Sequence, residues 1–129
     1  MHVEFEVSER FSVSPELLYK AWLNSTEHTA MTGGRATASD NVGGKFSAWD
    51  GYISGENVAL HGGKRILQSW RTTEFDPDAP DSILEILFDA DGNGAHVTIR
   101  HKRLPEDGMK YKQGWVDYYF EPMKEYFSM

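Results

Sequence analysis

The stretch Val42-Gly43-Gly44-Lys45-Phe46-Ser47-Ala48-Trp49-Asp50-Gly51-Tyr52-Ile53-Ser54-Gly55-Glu56-Asn57-Val58-Ala59-Leu60-His61-Gly62-Gly63-Lys64-Arg65-Ile66-Leu67-Gln68-Ser69-Trp70-Arg71-Thr72-Thr73-Glu74-Phe75 decides the fold. Phe46 and Ala48 alternate with polar neighbours, as do Val58 and Leu60, and Ile66, Gln68 and Trp70 share one side of the next segment. Period-two alternation of this kind marks strands with one buried face. Gly51, Gly55 and Gly62-Gly63 punctuate the runs where tight turns or bulges are needed. The stretch therefore reads as a three-stranded antiparallel meander.

Upstream, Val3, Phe5, Val7, Phe11 and Val13 alternate with His2, Glu4, Glu6, Ser8, Arg10 and Ser12, which predicts a long half-buried strand. Glu9 falls on its apolar side, so the reading needs either a bulge that returns it to solvent or a carboxylate at a cavity rim. Ser14-Pro15 is a helix start, with a hydroxyl cap followed by a proline at the first helical position. Ser25 is read as the cap of a second short helix that runs to about Met31 and ends at Gly33-Gly34. Downstream, Leu84, Ile86 and Phe88 alternate with Ile83, Glu85 and Leu87, and Asp91-Gly92-Asn93-Gly94 predicts a hairpin. Val97, Ile99 and His101 share a side of the following strand. A last helix is predicted from about Met109 to Phe127. Its face of Tyr111, Trp115, Val116, Tyr119, Phe120, Pro122, Met123, Tyr126 and Phe127 is wide enough to lie across a curved sheet, and Pro122 should kink it.

With 129 residues the chain is of single-domain size, so residues 1–129 are read as one domain. A domain of this length buries roughly two thirds of its unfolded surface. Lys and Arg number 13 against 20 Asp and Glu, for a net charge of −7. That balance disfavours nucleic acid and anionic membrane surfaces. There is no cysteine, hence no disulfide and no thiolate metal site. The start has no signal-peptide pattern, and no apolar run approaches the roughly 20 residues of a membrane span. The expected location is the cytoplasm.

The run Gly43-Gly44, Gly51, Gly55-Glu56-Asn57, Ile66 and Trp70-Arg71 resembles the activator of heat-shock protein 90 ATPase homologue family, within the START-like (SRPBCC) superfamily. Ser14-Pro15, Gly114-Trp115 and Pro122-Met123-Lys124-Glu125-Tyr126-Phe127 extend the resemblance over nearly the whole chain. It implies an α+β helix-grip fold: a curved antiparallel sheet wrapped around a long C-terminal helix, with two short helices after the first strand. It also implies a chaperone as a partner. Eukaryotic members carry a further N-terminal domain that contributes to chaperone binding, and the present stretch corresponds to the C-terminal type.

Motif readings narrow the chemistry. Asp89-Ala90-Asp91-Gly92-Asn93-Gly94 imitates the first half of a calcium loop, but position twelve, where a bidentate Glu belongs, is Arg100. None of the five histidines forms a His-x-x-x-His pair, no Gly-x-Ser-x-Gly string is in register, and phosphate-binding and dinucleotide glycine loops are missing. The expectation is therefore no metal, no cofactor and a non-catalytic role. Between the last helix and the sheet, a pocket for a small apolar ligand is expected. Its wall should be Ile66, Gln68, Trp70, Ile99 and His101 from the strands, and Trp115, Tyr119, Phe120 and Met123 from the helix. Gln68 and His101 are polar groups on that apolar surface and should bond to each other, to water or to a ligand. Alternatives are a chaperone-associated protein and a cyclase- or hydrolase-like enzyme of the same superfamily. A homodimer is a further possibility, because Trp49 and Tyr52 lie near strand ends. If the last helix covers the sheet, a chain ending before Tyr111 should aggregate or remain unfolded, as circular dichroism and sedimentation would report; a soluble, cooperatively melting fragment would contradict the reading.

Overall fold

The computed structural model describes residues 2–128. Ser14 Oγ accepts the Leu17 amide (3.2 Å) and starts α1 (Pro15–Trp22), with Pro15 in the first turn. Helix α2 (Ser25–Thr32) is capped one residue earlier than expected. Asn24 Oδ1 accepts the Glu27 amide (2.9 Å), while Ser25 Oγ ties the helix to the following loop at the Ala38 amide (2.8 Å). Asn is as good a cap as Ser, and the residue with extended backbone takes the role. Gly33 (φ 82) closes the helix.

The strands β1 (Val3–Phe11), β2 (Lys45–Ala48), β3 (Ile53–His61), β4 (Arg65–Thr72), β5 (Ser82–Asp91) and β6 (Gly94–Leu104) form one antiparallel sheet in the order β1-β6-β5-β4-β3-β2. The expected hairpin joins β5 to β6, with Gly92 at φ 60. Ile66, Gln68, Trp70, Leu84, Ile86, Phe88, Val97, Ile99 and His101 are all buried on the concave face. Glu9 stays on that side, in register with Val97, and its carboxylate meets Lys124 Nζ at 3.6 Å; the register shift in β1 lies between Val3 and Phe5 instead.

Val58 departs from the expectation. A register shift between Asn57 and Ala59 turns Val58 outward, 54% exposed, and buries Asn57 in its place. Asn57 then holds the preceding loop. Its Nδ2 donates to Ser39 O (2.8 Å) and Asn41 O (3.0 Å), and its amide and carbonyl bond Gly44 and Gly43. A bulge breaks strict alternation, so the apolar pattern alone picks the wrong side.

The C-terminal helix lies across the concave face as α3 (Lys110–Trp115), a π turn (Val116–Phe120) and α4 (Glu121–Phe127). Pro122 has no N–H for Tyr118 O, and the disturbance expected there takes the form of this wider turn, with the Glu121 amide bonded to Val116 O. One extra residue enters the turn. The buried face therefore continues as Tyr119, Phe120 and Met123, and Pro122 is only half-buried. Helix α1 packs on β5 and β6, and α2 on α4 and the π turn.

Gly55 marks the tightest contact in the meander. A Cβ there would lie 1.9 Å from Ser69 O and 2.7 Å from the Phe46 ring. Gly55→Ala must push β3 off β4, so a loss of about 2–4 kcal/mol is expected in urea unfolding, within the range of severe core changes. An unchanged midpoint would show that the strands can separate freely at this point.

Candidate functional site

A cavity of about 530 Å³ opens between the C-terminal helix, the β2–β3 turn and strands β3 and β4. The helix contributes Lys110, Tyr111, Gly114, Trp115, Tyr118 and Tyr119. Ile53 and Trp70 come from the sheet, Trp49 and Tyr52 from the β2–β3 turn, and Glu74 from just past β4. The rings pack edge-on or tilted: Trp115 on Tyr119 at 4.7 Å, Trp70 on Tyr111 at 5.1 Å, Trp70 on Trp115 at 6.0 Å and Trp49 on Tyr118 at 5.6 Å. Each such pair contributes about 0.5–1.5 kcal/mol beyond its buried area. Gly114 leaves a gap in this wall, because the nearest atom to a Cβ there would be Tyr118 Cδ2, at 3.8 Å.

Polar groups gather at the mouth and are mutually engaged. Tyr52 donates to Glu74 Oε2, Lys110 Nζ donates to Glu74 Oε1 (3.1 Å) and pairs with Asp107 (3.1 Å), and Thr72 and Tyr111 share a hydroxyl bond of 2.7 Å. The bonds from Tyr52 and Lys110 hold the Glu74 carboxyl below its usual range. Burial and the bond to Glu74 push the Tyr52 phenol up.

Behind the wall lie two histidines whose protonation the geometry settles. The indole of Trp115 is a donor only, and its Nε1 reaches His101 Nδ1 at 3.1 Å. His101 therefore carries its proton on Nε2 and donates to Ser82 Oγ (2.9 Å), which in turn donates to Trp70 O (2.6 Å). Likewise His28 Nδ1 donates to Trp22 O (2.8 Å), leaving Nε2 to accept from the Tyr119 hydroxyl (2.9 Å). Burial pushes His101 down to about 3, pushes His28 down against the pull of the Trp22 carbonyl, and pushes Tyr119 up.

Of the nine expected wall residues, Trp70, Trp115 and Tyr119 line the cavity. Ile66, Gln68, Ile99, His101, Phe120 and Met123 point the expected way but are packed in the core beyond it. Gln68 and His101 do not meet. Gln68 Nε2 donates to Asn57 Oδ1 (2.9 Å), and His101 serves Ser82 and Trp115. Sequence reasoning missed Ile53, Glu74, Lys110, Gly114 and Tyr118 at the site, and placed Tyr111 on the helix face without assigning it to the wall. It considered Trp49 and Tyr52 only as exposed aromatics. A glycine beside Trp115, in the middle of an aromatic helical face, was the available signal.

A sheet curved around a long C-terminal helix, with an aromatic cavity between them, defines a START-like helix-grip domain. The family described as Activator of Hsp90 ATPase homolog 1-like protein matches residues 12–128, and the chain belongs to it. It is 32% identical over 124 residues to the human Activator of 90 kDa heat shock protein ATPase homolog 1, covering 95% of this chain and 36% of that protein. The Dictyostelium discoideum Activator of 90 kDa heat shock protein ATPase homolog is 31% identical over 125 residues, covering 95% of this chain and 32% of its own length. The chain thus spans about a third of the length of these relatives. Among solved structures, an HSP90 activator from Plasmodium falciparum superposes with a TM-score of 0.86 at 23% identity, covering 95% and 94% of the two chains. The Aha1 dimer from Colwellia psychrerythraea does so at 0.81 and 15%, covering 97% and 96%. At these identities the structural matches establish the fold.

The two histidines make stability depend on pH. An unfolded imidazole binds its proton near pH 6.5, whereas folded His101 resists it down to about 3. Between those values the unfolded chain binds more protons, so stability is full above about 6.5 and falls as pH drops. His28 acts in the same direction. In urea titrations, His101→Asn should start less stable, and its loss should be shallower by up to about 1.4 kcal/mol per pH unit between pH 6 and 4.5. Equal slopes would exclude His101 as the source.

Proposed function

We propose that this single START-like domain holds a small, largely apolar molecule in the aromatic cavity without transforming it. The observation that carries this reading is the gap at Gly114, which a larger side chain would fill and which the sequence leaves open among seven aromatic rings. Support for a holding role comes from the mouth, where Glu74 and Lys110 neutralise each other, and from His101, whose ring nitrogens are both engaged. Pockets of this size, apolar with a few polar groups at one end, suit small molecules. No helix among the described residues is long and apolar enough to cross a membrane, which is compatible with the expected cytoplasmic location.

Gly114→Leu tests the reading. Replacing a helical glycine should leave folding unharmed or gain about 1 kcal/mol, because Leu favours helix and Gly does not. The variant should lose binding of N-phenyl-1-naphthylamine, measured by fluorescence, by tenfold or more. Unchanged probe affinity with an intact fold would remove the cavity as the site.

A second reading, docking to an Hsp90-type chaperone, is supported by the 32% identity to the human ATPase activator over 95% of this chain. Its readout is chaperone ATPase turnover with and without the domain, in which Gly114→Leu should behave as wild type if docking uses the outer surface. Self-association belongs to the same family argument, since the similar Colwellia protein was solved as a dimer, and sedimentation at high concentration is its test.

A further inference from the structure

Trp49 is held in the cavity wall at a cost that ordinary packing does not explain. Its backbone lies in the left-handed region (φ 52), followed by Asp50 (φ 58) and Gly51 (φ 89). Asp and Gly tolerate that region, but a bulky aromatic residue there is an outlier. Its indole Nε1–H is buried with no acceptor among the described residues. The ring lies so close over Gly34 that a Cβ at that position would come within 2.4 Å of it, and it meets Tyr118 edge-on. A phenylalanine would supply the apolar contact without an orphaned donor. The contrast is Trp115 in the same wall, whose N–H is satisfied by His101.

Resting on the ligand-holding reading above, the geometry points to Trp49 as the residue that sets specificity in the cavity, its indole N–H donating to an uncharged oxygen acceptor, such as a ketone, on a flat aromatic ligand. The rings of Trp49, Trp70, Trp115, Tyr118 and Tyr119 offer faces and edges to a planar molecule. An anionic ligand is disfavoured, because Lys110 at the mouth already serves two carboxylates, Glu74 and Asp107, leaving the mouth net negative. The donor is shielded in this wall, so a ligand oxygen reaches it only if the Trp49 ring turns, and the left-handed Trp49–Asp50 backbone marks where the wall is strained.

The test uses two probes of one shape, 2-acetylnaphthalene and its hydrocarbon isostere 2-isopropenylnaphthalene, titrated into the 15N-labelled protein. Four tryptophans give four indole signals, and Trp49→Phe identifies the relevant one. The ketone should move the Trp49 indole proton downfield, and the hydrocarbon should not. The ratio of ketone to hydrocarbon affinity should fall about fivefold in Trp49→Phe, the effect of one net hydrogen bond, while hydrocarbon binding persists. An unshifted Trp49 indole with bound ketone overturns the assignment even if the variant fails to fold, because that signal is read in the wild-type protein. An unchanged affinity ratio overturns it as well. In both cases the cavity reading stands. If neither probe binds, both readings fall together.

Discussion

The bond from the Trp115 indole to His101 Nδ1 joins the C-terminal helix to the floor of the sheet, and the inner half of the site depends on it. An indole can only donate, so the bond fixes the imidazole tautomer. The tautomer directs Nε2–H to Ser82, and the Ser82 hydroxyl donates in turn to the Trp70 carbonyl. One chain of three hydrogen bonds thereby positions both tryptophans of the inner wall. All the groups are buried, so removing one member leaves the others unpaired at about 1–3 kcal/mol each. The same arrangement recurs one turn along the helix, where Tyr119 donates to His28 and His28 to the Trp22 carbonyl. Helix, sheet and α2 are thus locked by donors with one available partner each.

The fold was legible because its signals are local. Ser14-Pro15 starts a helix, Gly92-Asn93 turns a hairpin, and Leu84, Ile86 and Phe88 alternate without interruption. The misreadings came where a non-local contact decided. Val58 has the right parity for the core, but the bulge after Asn57 turns it out, and nothing in the run of residues shows that Asn57 will be called on to tie down the loop from Ser39 to Gly44. Pro122 announced a disturbed helix. That the helix would absorb it as a π turn, keeping Phe120 and Met123 buried while Pro122 itself is only half-buried, depends on the fit against the sheet.

The site was legible in direction and not in depth. Alternation and helical spacing state which way Ile66, Ile99 and Met123 point, and they do point between sheet and helix. Whether that space is filled depends on the size of every side chain facing it. At the β1–β6 side large residues from both layers meet and close the gap. Beside the β2–β3 turn a helical glycine leaves it open. Parity cannot see this, since it treats Gly114 as a blank rather than as missing volume.

Three local rules are broken together on one cavity wall, whereas the other irregular points, the unpartnered Gln68 Oε1 in the core and Arg103 at φ 57, stand singly. A glycine sits inside a helix, where almost any other residue would be favoured by up to about 1 kcal/mol. A tryptophan takes a left-handed backbone at about 1–3 kcal/mol. Its N–H is buried without an acceptor at a further 1–3 kcal/mol or so. The helix caps, the β5–β6 turn and the alternation along β5 agree with the fold they specify, as expected of a sequence whose levels support one another. A domain serving only as a packed scaffold could relieve all three with single substitutions that leave the sheet and its histidine locks untouched. Their convergence on one wall is the pattern of a structure that gives up stability locally to keep a binding surface open.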